Sequence, residues 1–279
     1  MKLFIPPSPD SFRESNYYKE WLNELQKHYP QAKIIRNNQK ESRSYSEYNY
    51  SASGISSYIK TGHFETVLQL TKDYFQKCNV IDFGCADGIF LPSLSKYFNT
   101  IFAFDIKQEF IDDAEYLKKK MNLNNVELLC TKGLDFMEIK DSLKGKEYHI
   151  VYLLEVMEHI GDKGETMYAD KKNFLLNVSN LINKDGLIVI SVPKMVGLSF
   201  LIQRIGLSVL GLGKEPISFS NFMKSVFLCD ASSMEKNWWN NGHMGFNHLK
   251  FEKSFFPEFE IIKKKNLLFQ AVYLIKRKI

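Results

Sequence analysis

The chain has 279 residues, of which 44% are hydrophobic and 25% charged, the composition of a globular protein with enough apolar side chains for a sizeable core. The formal net charge of +5 is small for this length, and the lysines fall in short, scattered runs, so an organised nucleic-acid-binding stripe is not expected. The four cysteines lack metal-site spacing, and the N-terminal residues contain no long apolar stretch. We therefore expect a reduced, cytoplasmic protein without an export signal.

The pattern of apolar residues divides the chain into two parts. Residues 1–54 are mostly polar, with helical spacing around 18–28, and are expected to form an arm or cap. Residues 55–279 open with a helical pattern and then alternate short apolar runs with longer amphipathic stretches. Strands are predicted at 80–83, 101–104, 126–129, 150–154 and 187–192. Helices are predicted between them at 89–97, 110–121 and 174–182. This alternation predicts a parallel sheet covered by helices on both faces.

The last part of the chain departs from this alternation. Two strand-like runs at 259–262 and 267–275 are close enough to form a hairpin at the sheet edge. The segment 194–256 before them is too long for a plain connection and is expected to determine ligand specificity. Its apolar part, 195–213, contains Arg204 and four glycines, which argues against a membrane-spanning helix. A lid helix is the favoured interpretation, and contact with a membrane surface or a lipid-linked ligand is the alternative.

A glycine-bearing turn, Gly84-Cys-Ala-Asp-Gly88, follows the first predicted strand. Glycine lets the backbone approach a ligand closely, and the helix that follows offers unpaired N–H groups. Ala86 holds the second glycine position of the dinucleotide pattern G-x-G-x-x-G, which disfavours a nicotinamide enzyme. Asp105 ends the second strand, where a carboxylate either contacts a ligand or caps the next helix. Asp135, after the third strand, has the same two interpretations.

The turn resembles the first motif of class I S-adenosylmethionine-dependent methyltransferases, usually written G-C-G-x-G, with Ala86 as a mild departure. The run Glu155-Val-Met-Glu158-His159 after the fourth strand resembles the E-x-x-E-H motif of the ubiquinone-biosynthesis and glycan O-methyltransferases. This resemblance implies a Rossmann-like, seven-stranded, mainly parallel sheet with an antiparallel last strand. It also implies S-adenosylmethionine as the cofactor, with Asp105 binding its ribose. The cofactor-binding residues that it implies are Asp82, Gly84, Cys85, Gly88, Asp105, Ile106, Gly133, Leu134, Asp135 and Leu154.

Methyl transfer to a hydroxyl requires a proton acceptor, and four candidates lie after the fourth strand and in the later segment. The expected catalytic residues are Glu155, Glu158, His159 and His248. A histidine is the favoured base because imidazole titrates near neutral pH, whereas a loop hydrogen bond for His159 and a helix-face ion pair for Glu158 are the structural alternatives. Two histidines, His243 and His248, follow Trp238 and Trp239, and this stretch is expected to form a lid or acceptor wall.

The motif also resembles that of small-RNA 2′-O-methyltransferases, in which a metal-binding histidine follows later in the chain. A divalent cation is therefore the alternative to the metal-free base, with magnesium favoured by carboxylates and manganese by imidazoles. The expected function is methyl transfer to a hydroxyl of a small-molecule or glycan-like acceptor. The alternatives are a non-catalytic binding or scaffold protein, an RNA 2′-O-methyltransferase and an aminopropyltransferase. The last is disfavoured because E-x-x-E-H does not resemble its acidic motif.

Overall fold

The computed structural model describes residues 45–50, 55–161, 166–209, 217–238 and 243–278, together with Glu24 and Lys27. Glu24 and Lys27, within the helix predicted at 18–28, are both helical. The rest of residues 1–44 lies outside the described residues, as do Trp239 and the side chain of Trp238. The two-part division at residue 54 therefore stays a prediction.

The strands form one seven-stranded, mostly parallel sheet with an antiparallel end, which confirms the predicted Rossmann-like fold class. Their order across the sheet is β3-β2-β1-β4-β5-β7-β6. The bounds are β1 Val80–Phe83, β2 Ile101–Asp105, β3 Val126–Cys130, β4 Ile150–Leu154, β5 Leu187–Pro193, β6 Phe259–Asn266 and β7 Gln270–Arg277.

The α-helices are numbered here over the described part of the chain. They are α1 Tyr45–Tyr50, α2 Ile55–Thr71, α3 Leu91–Tyr97, α4 Gln108–Lys120, α5 Phe136–Ser142, α6 Met167–Ser179, α7 Leu198–Val209, α8 Phe219–Phe227, α9 Ser232–Trp238 and α10 His248–Phe255. Short 3₁₀ turns lie at Lys72–Tyr74 and Met157–His159.

Two predicted helix starts differ from the structure. Helix α3 begins at Leu91 rather than residue 89, because Gly88 still has a left-handed backbone (φ 86°) and Pro92 favours the first turn of a helix. Helix α6 begins at Met167 rather than residue 174. Lys171 is fully buried in this helix, so its apolar side includes a charged residue type that periodicity cannot assign to the interior.

The first of two compact units comprises Met1–Tyr152 and Leu181–Leu187. Parallel pairing aligns Val80 of β1 with Ile101 of β2 and with Ile150 of β4. All four residues of β1 are buried, as expected for a central strand covered on both faces. Because these strands run in the same direction, the turns after β1, β2 and β3 gather at one edge of the sheet.

The second unit comprises Leu153–Asn180 and Ile188–Ile279. Strand β5 is buried at all seven positions, whereas β6 is mostly exposed at the edge of the sheet and carries three consecutive lysines. Charged residues of this kind protect an edge strand from pairing with other chains. Strands β6 and β7 pair from Phe259 opposite Arg277 to Asn266 opposite Ala271, which confirms the predicted hairpin.

Candidate functional site

The turn after β1 has an unusual backbone. Gly84, Ala86 and Gly88 all have left-handed φ angles, of 82°, 48° and 86°. A Cβ on Gly88 would lie 2.9 Å from Cδ1 of Leu91, and the φ of 86° itself favours glycine at this position of the turn. The amides of Gly84 and Cys85 both donate to the Phe104 carbonyl, at 2.8 and 3.1 Å. The predicted glycine turn is therefore a tightly held loop at the carboxyl edge of the sheet.

Asp105 connects this turn to the one that follows β2. Its Oδ2 accepts a hydrogen bond from the Ala86 amide at 3.0 Å, and its Oδ1 accepts from the Lys107 amide at 3.0 Å. Burial raises the pKa of Asp105, and the amides of Lys107 and Ala86 oppose that shift. Lys107 rather than Asp105 precedes helix α4, and no side chain caps that helix. The helix-cap alternative for Asp105 is therefore not what the structure shows.

An open recess lies beside Asp105. It has a volume of about 540 Å³ and is lined by residues that include Ile106, Lys107 and Gly133. Ile106 is 64% exposed, and a Cβ on Gly133 would meet nothing within 4 Å. An exposed apolar side chain and an uncovered glycine suit the flat ring of a nucleoside, so the predicted positions Ile106 and Gly133 fit a cofactor.

Asp135 lies after Gly133 and Leu134, and it caps a helix. Its Oδ1 accepts from the amides of Met137 and Glu138 at 2.8 and 2.9 Å, while Glu138 accepts from the Asp135 amide in return. This reciprocal pair is a capping box at the start of α5. The capping alternative for Asp135 thus accounts for its geometry. Leu134 stays accessible, with 36% of its surface exposed.

Two further carboxylates lie in or beside the β1 turn. Asp87 is completely buried and accepts from both the amide and the hydroxyl of Ser46, so helix α1 is fastened to the turn. Asp82 is also buried, and this burial, together with the nearby charge of Asp105, raises its pKa to about 7. Burial raises the pKa of the Cys85 thiol as well, so this cysteine is held as the neutral thiol.

In the second unit, Leu154 ends β4 and Glu155 follows it in a left-handed conformation with φ 56°. The Glu155 amide donates to the Ser191 carbonyl at 3.0 Å, and the Ser191 hydroxyl donates to Glu155 Oε1 at 3.0 Å. Burial raises the pKa of Glu155 to about 7, while the Ser191 hydroxyl opposes the shift. The first glutamate of E-x-x-E-H is therefore a buried carboxyl held by the neighbouring strand.

Glu158, His159 and His243 come together next to it, and we call these three residues with Glu155 the acid–histidine cluster. One ligand atom from each of the three lies within 4.8 Å of the other two, in a group able to hold a metal ion. Nδ1 of His243 is 3.4 Å from Oε1 of Glu158, and the rings of His159 and His243 are 4.7 Å apart. Among the described residues, neither carboxylate oxygen of Glu158 accepts a hydrogen bond.

The protonation of the cluster follows from its burial. The side chain of Glu158 is fully inaccessible, and burial together with the charge of Glu155 raises its pKa. Burial and the neighbouring His159 lower the pKa of His243 to about 4. At neutral pH the imidazole of His243 is thus uncharged and has a free electron pair, which is the form that binds metals. Two buried carboxyls beside a neutral imidazole form a site whose electrostatics favour a cation.

Lys171 of helix α6 fastens the turn that carries Glu158 and His159. Its ammonium donates to the carbonyls of Met157 at 2.7 Å and Ile160 at 2.5 Å, with a longer contact to that of Glu158. Burial lowers the pKa of Lys171 to about 7, and the ammonium lies 5.5 Å from the centre of the Phe246 ring. A buried charge that binds backbone oxygens positions this turn relative to α6.

His248, the predicted fourth member, lies elsewhere in the second unit. Its pKa is lowered to about 4 by burial and by the charges of Lys194 and Lys264, whereas Glu252 raises it. The histidine that joins Glu158 is instead His243, five residues earlier. Asn247, the cap of helix α10, accepts from the amides of Leu249 and Lys250, so His248 starts this helix and lies on its buried side. The H-x-x-x-x-H spacing alone did not distinguish the two histidines, and nothing in the pattern indicated Lys171.

Comparison with known proteins places this geometry in a family. The model of the family described as "Methyltransferase domain" matches residues 38–250, which is more than half of the chain. A curated relative, the putative RNA methyltransferase R405 of Acanthamoeba polyphaga mimivirus, is 36% identical over 70 residues, which are 24% of this chain. The match spans only 18% of that protein's length.

Solved structures share the fold at low sequence identity. The PH0226 protein from Pyrococcus horikoshii OT3 superimposes with a TM-score of 0.55 at 15% identity, over 87% of this chain and 100% of that one. Magnesium protoporphyrin IX methyltransferase from Synechocystis PCC 6803, solved with bound SAH, gives a TM-score of 0.53 at 12% identity, over 97% and 98%. At such low identities the similarity shows a shared fold and nothing more.

Proposed function

The chain belongs to the methyltransferase-domain family and is a class I S-adenosylmethionine-dependent methyltransferase, and we propose that it methylates a hydroxyl group of a small-molecule or glycan-like acceptor. The donor supplies an electrophilic methyl group on a sulfonium, so the protein's tasks are to align the acceptor, exclude water and remove a proton. The acid–histidine cluster after β4, in which Glu158 is buried and His159 is exposed, carries the proposal. A hydroxyl is a poor nucleophile until its proton is removed, and this cluster collects groups that accept protons.

On the donor side, we propose that Asp105 binds the ribose hydroxyls and that the recess beside Ile106 and Gly133 receives the adenine. Gly84 and Gly88 allow close approach of the backbone to the donor. Asp82, Cys85, Leu134 and Asp135 complete the proposed donor site in the first unit, and the role of Leu154 stays a prediction from the motif. The accessible ring-sized surface at Ile106 and Gly133 supports this assignment.

On the acceptor side, we propose that His159 receives the proton, with Glu155 and Glu158 compensating the positive charge that then forms. His243 shares this pocket, but a pKa of about 4 makes it too weak a base to remove a proton from a hydroxyl at neutral pH. Its position beside Glu158 supports a second candidate mechanism. Glu158, His159 and His243 would hold a divalent cation, which supplies the Lewis acidity that lowers the pKa of a bound hydroxyl.

The residues present fit such a cation. Both Glu158 oxygens and His243 Nδ1 are buried and have no hydrogen-bond partner among the described residues, which leaves three atoms available as ligands. Two imidazoles beside one carboxylate favour manganese or another transition metal over magnesium.

Acceptor chemistry is tested with S-adenosylmethionine labelled in its methyl group and a fractionated cell extract. We expect label in a nuclease-resistant, non-protein fraction, and mass spectrometry should place the methyl group on oxygen. Label on nitrogen or carbon would contradict hydroxyl methylation. Label lost after ribonuclease treatment would support the RNA 2′-O-methyltransferase alternative, and donor binding without transfer to any fraction would support the scaffold alternative.

The cation is tested separately by calorimetric titration of Mn²⁺ into chelator-treated protein. Glu158→Gln should abolish binding if the cation site exists, whereas His248→Asn should leave it intact because His248 lies outside the cluster. Absence of Mn²⁺ binding to the unaltered protein, together with chelator-resistant turnover, would leave the metal-free base as the mechanism. Full turnover in His159→Ala would exclude His159 from that role.

A further inference from the structure

Helices α7 and α8 present apolar side chains on their outer surfaces. In α7, Leu198, Ile202, Ile205 and Val209 recur at spacings of four, three and four residues, so they lie on one side of the helix. All four are exposed, Leu198 by 67% and Val209 by 80%. A helix that leaves such a stripe uncovered has an apolar face without a partner in the described part of the chain.

Helix α8 repeats the arrangement. Phe219, Met223 and Phe227 are spaced four residues apart and are exposed, Phe219 by 77%, and Leu228 adjoins them with 72% exposure. We call these residues and the α7 stripe together the apolar outer face.

The opposite sides of the two helices already belong to the interior of the second unit. Phe200 of α7 and Val226 of α8 are buried in a core with Met195, Val196 and Met234. The rings of Phe200 and Phe222 lie 6.1 Å apart, so the two helices pack against each other. Because the core contact uses the inner sides, the outer face is additional apolar surface rather than the side by which the helices are anchored.

The charge of this segment has one predominant sign. Residues 194–230 contain four basic residues, Lys194, Arg204, Lys214 and Lys224, and two acidic residues, Glu215 and Asp230. Helix α7 contains only Arg204 as a charged residue, and α8 contains only Lys224, which is exposed. Aliphatic and phenylalanine side chains bordered by positive charge are complementary to the acyl chains and anionic head groups at a membrane surface.

We propose that the apolar outer face of α7 and α8 binds the surface of an anionic lipid membrane. Protein interfaces concentrate binding energy in tryptophan, tyrosine and arginine, and the exposed set here contains none of these. Among the described residues no helix is long and apolar enough to cross a bilayer, so the contact lies at the membrane surface. This inference is independent of the acceptor proposed above.

The test is co-sedimentation of the full chain with vesicles of phosphatidylcholine, with and without phosphatidylglycerol. We expect binding to the mixed vesicles, weakened by added salt, and little binding to phosphatidylcholine alone. Phe219→Glu and Val209→Glu should each weaken vesicle binding about tenfold or more, because a charge replaces a buried apolar side chain. Met137→Glu is the matched control, since Met137 on α5 is 67% exposed, the same as Leu198, and should bind as the unaltered protein does.

Two results would overturn the proposal. The first is no binding of the unaltered protein to the phosphatidylglycerol vesicles, and the second is equal binding of the unaltered protein, Phe219→Glu and Val209→Glu. Analytical ultracentrifugation tests the alternative that a second copy of the chain, rather than a membrane, covers the apolar outer face. A dimer that Phe219→Glu dissociates, without vesicle binding, would assign the face to a second copy of the chain. Thermal unfolding of each variant checks that these exposed substitutions leave the fold intact.

Discussion

Replacing Lys171 by methionine should change how the stability of the protein depends on pH. The ammonium of Lys171 is fully buried, and burial lowers its pKa from 10.5 to about 7. A lysine whose folded pKa lies below its unfolded pKa contributes stability that is present above the unfolded value and is lost as the pH falls through about 7. Between these two values the unfolded chain binds the extra proton, so the contribution of Lys171 to the stability of the unaltered protein rises with pH.

The magnitude follows from the size of the window. From pH 7.5 to pH 9 the Lys171 contribution grows by about 2 kcal/mol, since each pH unit inside the window corresponds to roughly 1.36 kcal/mol. Glu158 increases the difference between the two proteins. The charge of Lys171 lowers the raised pKa of Glu158, so this pKa rises further in Lys171→Met, and the stability of the variant then falls more steeply with pH. With about 2–4 °C per kcal/mol, the melting temperatures of the unaltered protein and Lys171→Met should diverge by roughly 4–8 °C over this range.

The measurement is thermal unfolding of chelator-treated protein at a series of pH values, followed by circular dichroism. Lys172→Met is the matched control, because Lys172 is the next residue of α6 but is partly exposed and only 3.9 Å from Glu258 in a surface ion pair. The melting temperature of Lys172→Met should change with pH in the same way as that of the unaltered protein. If Lys171→Met also runs parallel, the buried ammonium does not titrate as argued. Hydrogen exchange should in addition rise at residues 158–160 in Lys171→Met, since their turn loses its anchor.

Three other substitutions test the turn after β1 and the carboxylates beside it. Asp105→Ala should weaken S-adenosylmethionine binding at least about tenfold in calorimetry, because charge-assisted hydrogen bonds to the ribose are lost, and unchanged affinity would contradict the placement of the donor. Ala86→Gly should raise the free energy of unfolding by about 0.5–1 kcal/mol, because φ 48° strains alanine more than the added chain entropy of glycine costs, and a lower melting temperature would contradict this. Ser46→Ala should speed hydrogen exchange in helix α1, because buried Asp87 loses a hydroxyl donor, and unchanged exchange would show that other contacts hold the helix.

The sequence predicted the sheet well because its strands are buried runs. The bounds predicted for β1 and β4 coincide with those in the structure, and both strands consist almost entirely of apolar residues. A short, continuous apolar run that is preceded and followed in the sequence by predicted helices is typical of a buried parallel strand. The predicted start of α6 was wrong because the first turns of this helix bury a charged residue type. Lys171 is fully buried there, and apolar spacing does not assign a lysine to the interior.

The site was less predictable, because the residues that compose it are distant in the chain. Glu155, Glu158 and His159 lie within five consecutive positions, so their proximity follows from the motif. The choice between His243 and His248 depends on a turn at 243–247 that no periodicity describes. His248 was predicted as a base because imidazole titrates near neutral pH, yet it is buried at the start of α10 and is not part of the group formed by Glu158, His159 and His243.

His243 was not predicted as a neighbour of Glu158, because the turn that carries it has no periodic sequence pattern. The backbone of the cluster has a second unusual feature. Glu155 and His243 have left-handed φ angles of 56° and 69°, a conformation that is uncommon for glutamate but that histidine, like asparagine and aspartate, adopts more often than most residues. Glycine would relieve the strain at residue 155, so backbone preference does not account for a glutamate there. Strained residues persist where the surrounding structure over-determines them, and such positions concentrate at functional sites. At Glu155 the contacts that hold the strained backbone come from Ser191 of β5, whose carbonyl accepts from the Glu155 amide and whose hydroxyl donates to the Glu155 carboxylate.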